Sequence, residues 1–414
     1  MTTAQQSEAR HLLQVYAQLP IEPDSAEGVY LHCGSRRIID FYGGHAVAAL
    51  GYAHPDLLAT LRRQAENMYF QSNAVALEVR AQAADALVSI APPGLSRVFF
   101  ANSGAEANEN ALRIACRTTG RSRVLALEHG FHGRTAASAA VTWGAAKSWY
   151  GFPRTPFDVD FIPRDDIAKA EALIDDSTAA VIIEVVQGLA GAYDLDPAFV
   201  AAVAAACKRH GALLIVDEVQ SGVGRTGAAF AAELYGLQPD LLTTAKALGG
   251  GFPCSALLLT EDLAAQLKSG DLGTTFGGGP MACALVSTVI EVIKRDRLLE
   301  NVRTLSAELQ KSAITGPVTG VQGRGFLLGL RCKRPAKDMH AALLARDRDV
   351  VADLAGDPDA FVPVHRHVLD ELERGRVLRI IFGQVGCHLH RAVQHHVERE
   401  FLRQRVRDAV LRGE

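Results

Sequence analysis

The sequence lacks the features that mark several large classes of protein. Its 414 residues carry 43 Lys and Arg against 46 Asp and Glu, a formal net charge of -3, so no excess of positive charge attracts nucleic acid or anionic lipid. No apolar run approaches the roughly 18 residues that a membrane helix needs, and the N-terminus has no basic and then apolar signal pattern. We therefore expect a cytoplasmic protein without nucleic-acid or membrane partners.

Cysteine is scarce and unpatterned. The seven cysteines are odd in number and show no CxxC spacing. This predicts reduced thiols and argues against a disulfide framework or a zinc site. Histidines cluster near the C-terminus, where they could ligate a metal, but a solvated helix is the interpretation that we favour and no metal is expected. These histidines are His388, His390, His395 and His396.

The sequence does contain an alternation of helix and strand patterns between about residues 75 and 285. The predicted helices are 79–91, 105–118 and 197–210, and the predicted strands are 97–101, 123–128, 179–186 and 212–217. Such alternation predicts an α/β fold with a mostly parallel, doubly wound sheet. Outside it, the patterns predict a hairpin at 28–42, helices at 281–296 and 298–312, and short strands near 320–330.

A lysine and an aspartate stand where two apolar strands end. Asp217 closes the run 212–217, and Lys246 lies between a second apolar run and a glycine-rich turn. Ligands of open α/β sheets gather at the carboxyl ends of the strands, so this amine and this carboxylate are expected to share a pocket. Pyridoxal phosphate (PLP) needs such a pair, an amine to form a Schiff base and an anion to keep its ring nitrogen protonated.

A third motif predicts a phosphate site. Asn102 and Ser103 are good residues to cap a helix, and the next two residues open it with backbone N–H groups that have no acceptor inside the helix. A phosphate dianion there gains hydrogen bonds and the positive end of the helix dipole. The predicted phosphate-binding residues are Ser103, Gly104 and Ala105.

Five motifs in this order carry a family resemblance. They are 102–111 (NSGAEANENA), 131–135 (FHGRT), 216–227 (VDEVQSGVGRTG), 244–246 (TAK) and 273–280 (GTTFGGGP). The chain resembles the class III aminotransferases of PLP fold type I, with the acetylornithine/ornithine branch closest, from about residue 28 to residue 358. The resemblance implies a segment 1–45 of a small domain, a large PLP-binding domain over 46–283, and the rest of the small α+β domain over 284–414.

The resemblance also implies roles for single residues. Lys246 and Asp217 are catalytic, and both contact the cofactor. Phe131 stacks on the pyridine ring, and Gln220 contacts the ring's phenolic oxygen. Thr275 reaches over the cofactor of the neighbouring subunit, which implies a homodimer with a site completed across the interface.

Substrate recognition is where the sequence departs from the family. Arg134 is the implied partner of a substrate carboxylate. The family has a glutamate where this chain has Leu189, and that glutamate pairs with a C-terminal arginine. Two registers are open for the arginine, one placing Val362 there and the other Arg379, and family spacing favours the first. Residues 382–414 also differ from the usual C-terminal helix.

These observations predict an aminotransferase for small molecules, of the kind used in arginine biosynthesis. The amino group would move from an acetylornithine-like donor to a 2-oxo acid, expected to be 2-oxoglutarate, by ping-pong chemistry. One alternative is an ω-amine transaminase or aminomutase of the same fold. An alternative of a different class is a degenerate PLP-fold protein that only binds or regulates. The intact lysine, aspartate and phosphate motifs favour the enzyme.

Overall fold

The structure is a computed structural model that describes residues 2–19, 21–40, 43–314, 318–333 and 350–351. The strands in these ranges are β1 (Ser25–Glu27), β2 (Tyr30–Cys33), β3 (Arg36–Asp40), β4 (Leu95–Ala101), β5 (Arg123–Leu127), β6 (Asp158–Ile162), β7 (Thr178–Ile183), β8 (Val186–Gln187), β9 (Tyr193–Asp194), β10 (Leu213–Asp217), β11 (Leu241–Thr244), β12 (Ser255–Thr260), β13 (Val318–Arg324), β14 (Leu327–Cys332) and β15 (Val350–Val351).

The helices in the same ranges are α1 (Thr3–Glu8), α2 (Gly43–Ala46), α3 (Pro55–Asn67), α4 (Glu78–Val88), α5 (Gly104–Thr119), α6 (Ala136–Ala140), α7 (Ala145–Ser148), α8 (Ile167–Leu173), α9 (Pro197–His210), α10 (Glu261–Ala264), α11 (Pro280–Arg295) and α12 (Leu298–Ser312). Two 3-10 helices span Ala231–Tyr235 and Lys246–Gly249. Within the described ranges, every helix is too short or too polar to cross a membrane.

The largest sheet has seven strands in the order β4-β12-β11-β10-β7-β5-β6. Neighbours from β11 to β6 are parallel, whereas β12 is antiparallel to both β11 and β4. The prediction of a mostly parallel sheet is therefore confirmed. The interior strand β7 is buried on both faces, which explains why its sequence is a continuous apolar run.

Helices cover both faces of this sheet, as a doubly wound fold requires. On one face, α9 packs Phe199 and Val203 against Leu214 and Val216 of β10. On the other face, α5 contributes Leu112, Ile114 and Ala115 to a cluster with Ile215 of the same strand. Alternate residues of β10 thus point to opposite layers, following the two-residue period of a strand.

The helix predicted at 197–210 is confirmed with both of its bounds, because the sequence has capping residues at each end. Asp196 caps the N-terminus by accepting hydrogen bonds from the amides of Ala198 and Phe199, and Pro197 occupies the first turn. Gly211 ends the helix in a left-handed conformation, with φ 62°. The helix at 298–312 is likewise confirmed.

The strand predicted at 179–186 is shorter than expected. β7 ends at Ile183, and the chain resumes pairing only at Val186 in the two-residue strand β8. The interruption contains Glu184, whose carboxylate Oε2 accepts a hydrogen bond from the amide of Phe131 at 2.8 Å. Glu184 therefore lies between the two strands, and its carboxylate binds the loop that contains Phe131.

Smaller units flank the large sheet. β1, β2 and β3 form the predicted N-terminal hairpin region, in which β3 also pairs with β15, while β13 and β14 form a separate hairpin. The helix α11 packs against α3 and α4. The domain boundaries after residues 45 and 283 stay predictions.

Candidate active site

Three strands end at the edge of the sheet where the predicted lysine and aspartate lie. Glu184 follows β7, Asp217 closes β10, and Lys246 comes two residues after β11. β10 is the parallel neighbour of both β7 and β11, and Asp217 stands opposite Thr243 in the register. The chain therefore brings the carboxylate and the amine to one edge, as the sequence predicts.

Lys246 begins a 3-10 helix in a strained conformation. Its φ of 46° lies in the left-handed region, which residues other than glycine rarely occupy. The side chain is half-buried, and its positive charge lowers the pKa of the buried Glu184. Strain of this kind persists where the surroundings hold the residue firmly, as they do at functional sites.

Asp217 is buried and held by three donors. Asn108 Nδ2 lies 2.7 Å and His132 Nδ1 2.8 Å from Oδ2, and the amide of Val219 donates to Oδ1 at 2.9 Å. Because a carboxylate can only accept, the imidazole Nδ1 carries the hydrogen of this contact. These bonds fix the carboxylate in one orientation.

A further shell of hydrogen bonds fixes the donors themselves. Thr243 Oγ1 donates to Asn108 Oδ1 at 2.6 Å, and Asn108 Nδ2 also donates to the carbonyl of His132 at 2.7 Å. The amide of His132 donates to Thr142 Oγ1 at 2.9 Å. We call Asn108, His132 and Thr243 the Asp217 clamp. None of the three was a predicted site residue, although Asn108 and His132 lie inside the motifs 102–111 and 131–135.

The helix α5 places its N-terminus beside this carboxylate. A Cβ atom on Gly104 would lie 2.7 Å from Val219 Cγ1, so only glycine lets the helix start so close to the segment that follows Asp217. Ser103 caps the helix by accepting from the amide of Glu106, whose carboxylate accepts in return from the amide of Ser103. The amides of Gly104 and Ala105 belong to the first turn and point toward a potential anion.

Phe131 and Gln220 approach the same edge from two loops. Glu184 accepts the hydrogen bond from the amide of Phe131 and so fixes the start of the loop that continues to the clamp residue His132. Gln220 lies against Gly188, where an added Cβ would stand only 1.6 Å from Gln220 Oε1. Glycine at 188 is thus required for Gln220 to occupy its position.

Glu184 is a site residue that sequence reasoning left without a role. Burial raises its pKa to about 7, against the opposing effects of His132, the Phe131 amide and Lys246, while the negative Asp217 raises it further. The charges of both predicted catalytic residues, Asp217 and Lys246, therefore act on the pKa of Glu184. The signal that could have identified it is a single carboxylate inside the apolar run 179–186.

The predicted substrate residues lie farther out. Arg134 is exposed, and its guanidinium carbon stands 4.4 Å from the centre of the Trp149 ring. Leu189 is half-buried in the turn between β8 and β9. Val362 and Arg379, like the four C-terminal histidines, lie outside the described residues.

Thr275 does not join the other predicted residues within its own chain. It is exposed and adjoins Phe276, which is 67% exposed. Its neighbour Thr274 is the residue that contacts the α5 region, since Thr274 Oγ1 accepts from Asn102 Nδ2 at 3.4 Å. The structure therefore places Thr275 on the surface, next to a residue that contacts the segment preceding α5.

The described residues fit the PLP that the resemblance implies. The first-turn amides of α5 suit a phosphate, Asp217 is a buried and oriented anion, and Lys246 supplies an amine at the same edge. Gly104 allows α5 to start beside Val219, and Gly188 allows Gln220 to occupy its position. His132 Nε2 is buried and, among the described residues, has no hydrogen-bond partner. The imidazole ring therefore makes its hydrogen bond to Asp217 through Nδ1 alone.

Comparison with known proteins agrees with this geometry. The sequence model of the Aminotransferase class-III family matches residues 14–366, a span that includes Val362 and ends before Arg379. An acetylornithine/succinyldiaminopimelate aminotransferase of Yersinia pestis is 42% identical over 331 residues, which are 77% of this chain and 81% of that protein. An acetylornithine aminotransferase of Methanosarcina acetivorans is 35% identical over 359 residues, 85% of this chain and 89% of that one.

A solved structure has the same fold. An ornithine aminotransferase of Toxoplasma gondii, in crystals with partial occupancy of PLP at the active site, superimposes with a TM-score of 0.79 and 27% identity. The match covers 90% of this chain and 91% of that one. The predictions of fold type I and of PLP as the cofactor are confirmed.

Proposed function

The chain belongs to the class III aminotransferases, and from that premise we propose that it moves the amino group of N-acetylornithine, or a close analogue, to 2-oxoglutarate. It is a PLP-dependent transaminase that acts on small molecules, which sets aside the non-enzymatic alternative. The observation that carries the proposal is the convergence of Lys246 and the clamped Asp217 on one edge of the sheet, beside the N-terminus of α5.

Each residue of this edge has a proposed part in holding the cofactor. The amides of Gly104 and Ala105, with Ser103, would hold the phosphate, and Phe131 would cover a ring face. Gln220 would contact the ring's oxygen. Asp217 would hold a proton at the ring nitrogen, because a buried anion with fixed donors stabilises a cation next to it. When bound, PLP supplies an electron sink for the bond broken at the amino carbon.

Lys246 has the proposed role of nucleophile and base. Its amine would hold the cofactor at rest, and the incoming substrate amine would release it. The freed amine would then move a proton from the substrate carbon to the C4′ carbon of the cofactor. One substrate leaves before the next enters, so the kinetics should be ping-pong.

The donor assignment rests on the relatives and on Arg134. The two relatives described above are named for acetylornithine, and one also for succinyldiaminopimelate. Arg134 offers a guanidinium that binds a carboxylate in a bidentate fashion. Leu189 stands where the family has a glutamate, and this favours an ω-amine donor without a carboxylate as the second candidate.

We further propose that the enzyme is a homodimer in which Thr275 of the partner subunit completes each site. Exposed apolar side chains around this loop support the proposal. Tyr69 is 70% and Phe70 is 43% exposed, and the Phe70 ring packs edge-on against Phe276 with ring centres 5.3 Å apart. A contiguous apolar patch of this kind is typical of a subunit interface.

The visible absorption band of the holoenzyme tests the donor and the acceptor separately. We expect N-acetylornithine alone to abolish the band and 2-oxoglutarate to restore it after the free donor is removed. N-acetylputrescine, which is N-acetylornithine without its carboxylate, is the matched control. A band that responds to N-acetylputrescine and not to N-acetylornithine would favour the ω-amine candidate. Restoration by pyruvate and not by 2-oxoglutarate would contradict the proposed acceptor.

A further inference from the structure

We propose that Trp149 is a positioning residue that sets the enzyme's preference for donors with a carboxylate, by holding the guanidinium of Arg134 against its ring. The inference rests on the proposed role of Arg134 as the carboxylate partner. Trp149 lies outside the motifs that carry the family resemblance, and its ring contacts Arg134.

The backbone that leads to Arg134 is rigid. Gly133 has a φ of 137°, and an added Cβ would lie 2.7 Å from Ala105 Cβ and 2.5 Å from Ser138 Oγ. Just before it, His132 is locked into the Asp217 clamp. The side chain of Arg134 is thus the first exposed group on a segment that cannot shift relative to α5.

The chain segment that carries the Trp149 ring is also anchored. The amides of Trp149 and Tyr150 both donate to the carbonyl of Ala145, at 2.9 and 3.0 Å. The hydroxyl of Tyr150 donates to the carbonyl of Ala136 at 2.9 Å, and its ring packs edge-on against Phe152. These contacts join the Trp149 segment to the first residue of α6, two positions after Arg134.

An aromatic partner suits a residue that must receive a carboxylate. Among the described residues, Arg134 has no ion pair with an aspartate or glutamate, so none of their carboxylates competes with the substrate. Stacking attracts the cation through the ring face and leaves the N–H groups at the guanidinium edge available for a bidentate contact. Holding the long side chain in place beforehand also reduces the entropy lost when substrate binds.

The test compares Trp149→Leu with Trp149→Phe in the holoenzyme. Loss of an exposed cation–π contact should raise KM for N-acetylornithine about two- to fivefold with kcat nearly unchanged. Trp149→Phe keeps an aromatic face and should restore most of the affinity. N-acetylputrescine, measured as a donor or as a competitive inhibitor, should bind equally well to all three proteins, because it has no carboxylate.

The other tryptophan provides a matched control. Trp143 lies in the same segment but packs edge-on against Phe161, so Trp143→Leu should leave KM for N-acetylornithine unchanged. Should Trp149→Leu not fold, judged by circular dichroism, Trp149→Met serves as the second truncation. In an Arg134→Gln background the Trp149 substitution should have no further effect on KM, since the two residues act through one contact.

Two results would overturn the proposal in distinguishable ways. If Arg134→Gln raises KM for N-acetylornithine and Trp149→Leu does not, the positioning role is wrong and the carboxylate role of Arg134 stands. If Arg134→Gln affects N-acetylornithine and N-acetylputrescine alike, the proposed carboxylate site itself is wrong, and the role of Trp149 fails with it.

Discussion

The two sides of this active site are built in different ways. The cofactor side, which we define as Asp217, its clamp and the start of α5, has a buried centre in which Asp217 and the clamp are joined by hydrogen bonds between different segments of the chain. The substrate rim, which we define as Arg134, Trp149 and Leu189, lies on loops, where Arg134 is exposed and the other two residues are half-buried. Under the proposed function, the chemistry common to many donors would depend on the core, whereas the choice of donor would depend on surface loops that tolerate substitution.

The difference has a physical basis. A buried carboxylate must have its hydrogen bonds satisfied, so a change at Asn108, His132 or Thr243 would leave an unsatisfied polar group in the core. At the rim, water can replace a lost hydrogen bond, so the loss of folding stability is small. Leu189 in place of a glutamate is such a change, and the Arg134–Trp149 stack is a contact of the same outer layer.

Lys246→Ala should have the largest effect, because it removes the only amine proposed for both bond formation and proton transfer. We expect loss of turnover to the detection limit while the phosphate, ring and Asp217 contacts retain the fold and some cofactor. Borohydride reduction should attach PLP to the peptide containing Lys246 in the wild type. If the variant still carries a borohydride-fixed cofactor, the assignment of Lys246 is wrong.

Asp217→Asn should lower kcat by roughly three orders of magnitude with little loss of stability, since an amide of the same shape cannot hold a proton at the ring nitrogen. Substituting a clamp residue instead, as in Thr243→Val, keeps the carboxylate and should cost much less activity. Steady-state rates decide the matter. Asp217→Asn activity within tenfold of the wild type would contradict the proposed role of Asp217 at the ring nitrogen. It would also mean that substitutions on the cofactor side cost no more activity than substitutions at the rim.

Sequence reasoning reached the cofactor side more completely than the rim. Strand ends, the helix cap at Ser103 and the resemblance were enough to predict that Asp217, Lys246 and Gly104 lie together, since ligands of an open α/β sheet gather at the carboxyl ends of its strands. The clamp was missed because Asn108 and His132 meet Asp217 from segments more than 80 residues away, and no local pattern encodes that contact. Trp149 was missed for a related reason, because a stacking pair between loops has no periodicity.

Arg134→Gln tests the rim directly. A charged, bidentate contact is worth about 1.5–3 kcal/mol, so KM for N-acetylornithine should rise about one to two orders of magnitude. N-acetylputrescine should be little affected, and Arg154→Gln, at another exposed arginine, is the matched control. Arg379→Ala should change little if family spacing is correct. Loss of activity with 2-oxoglutarate in Arg379→Ala, together with a mild Arg134→Gln, would establish the other register.

Thr275→Ala should weaken PLP retention by about tenfold, the loss of one or two hydrogen bonds to an anion. Mixing this variant with Lys246→Ala gives heterodimers in which one site has both residues intact, because Lys246 and Thr275 of the partner subunit would come from different chains. Cofactor retention and activity should therefore recover on mixing. A fully active monomer by light scattering would show that Thr275 has no role across subunits.

The smallest effect is expected at Glu218, behind the cofactor side, where a substitution should alter stability and not chemistry. Burial raises the pKa of Glu218 to about 7. Since the folded-state pKa exceeds the ordinary value, this group's contribution to stability is present below about pH 4.5 and is lost as the pH rises through 7. The loss amounts to about 3 kcal/mol at most, because the pKa of Glu218 in the folded protein lies roughly 2.5 above its ordinary value.

Glu218→Gln mimics the protonated form, because its amide can still accept from the amide of Ala232 and donate to Ser221 Oγ. The Tm of the variant minus that of the wild type should therefore increase by a few degrees between pH 5 and pH 8, with kcat unchanged. Glu291→Gln, at an exposed glutamate of α11, should show no such trend. A Tm difference for Glu218→Gln that is the same at both pH values would mean that Glu218 is ionised in the folded protein throughout this range.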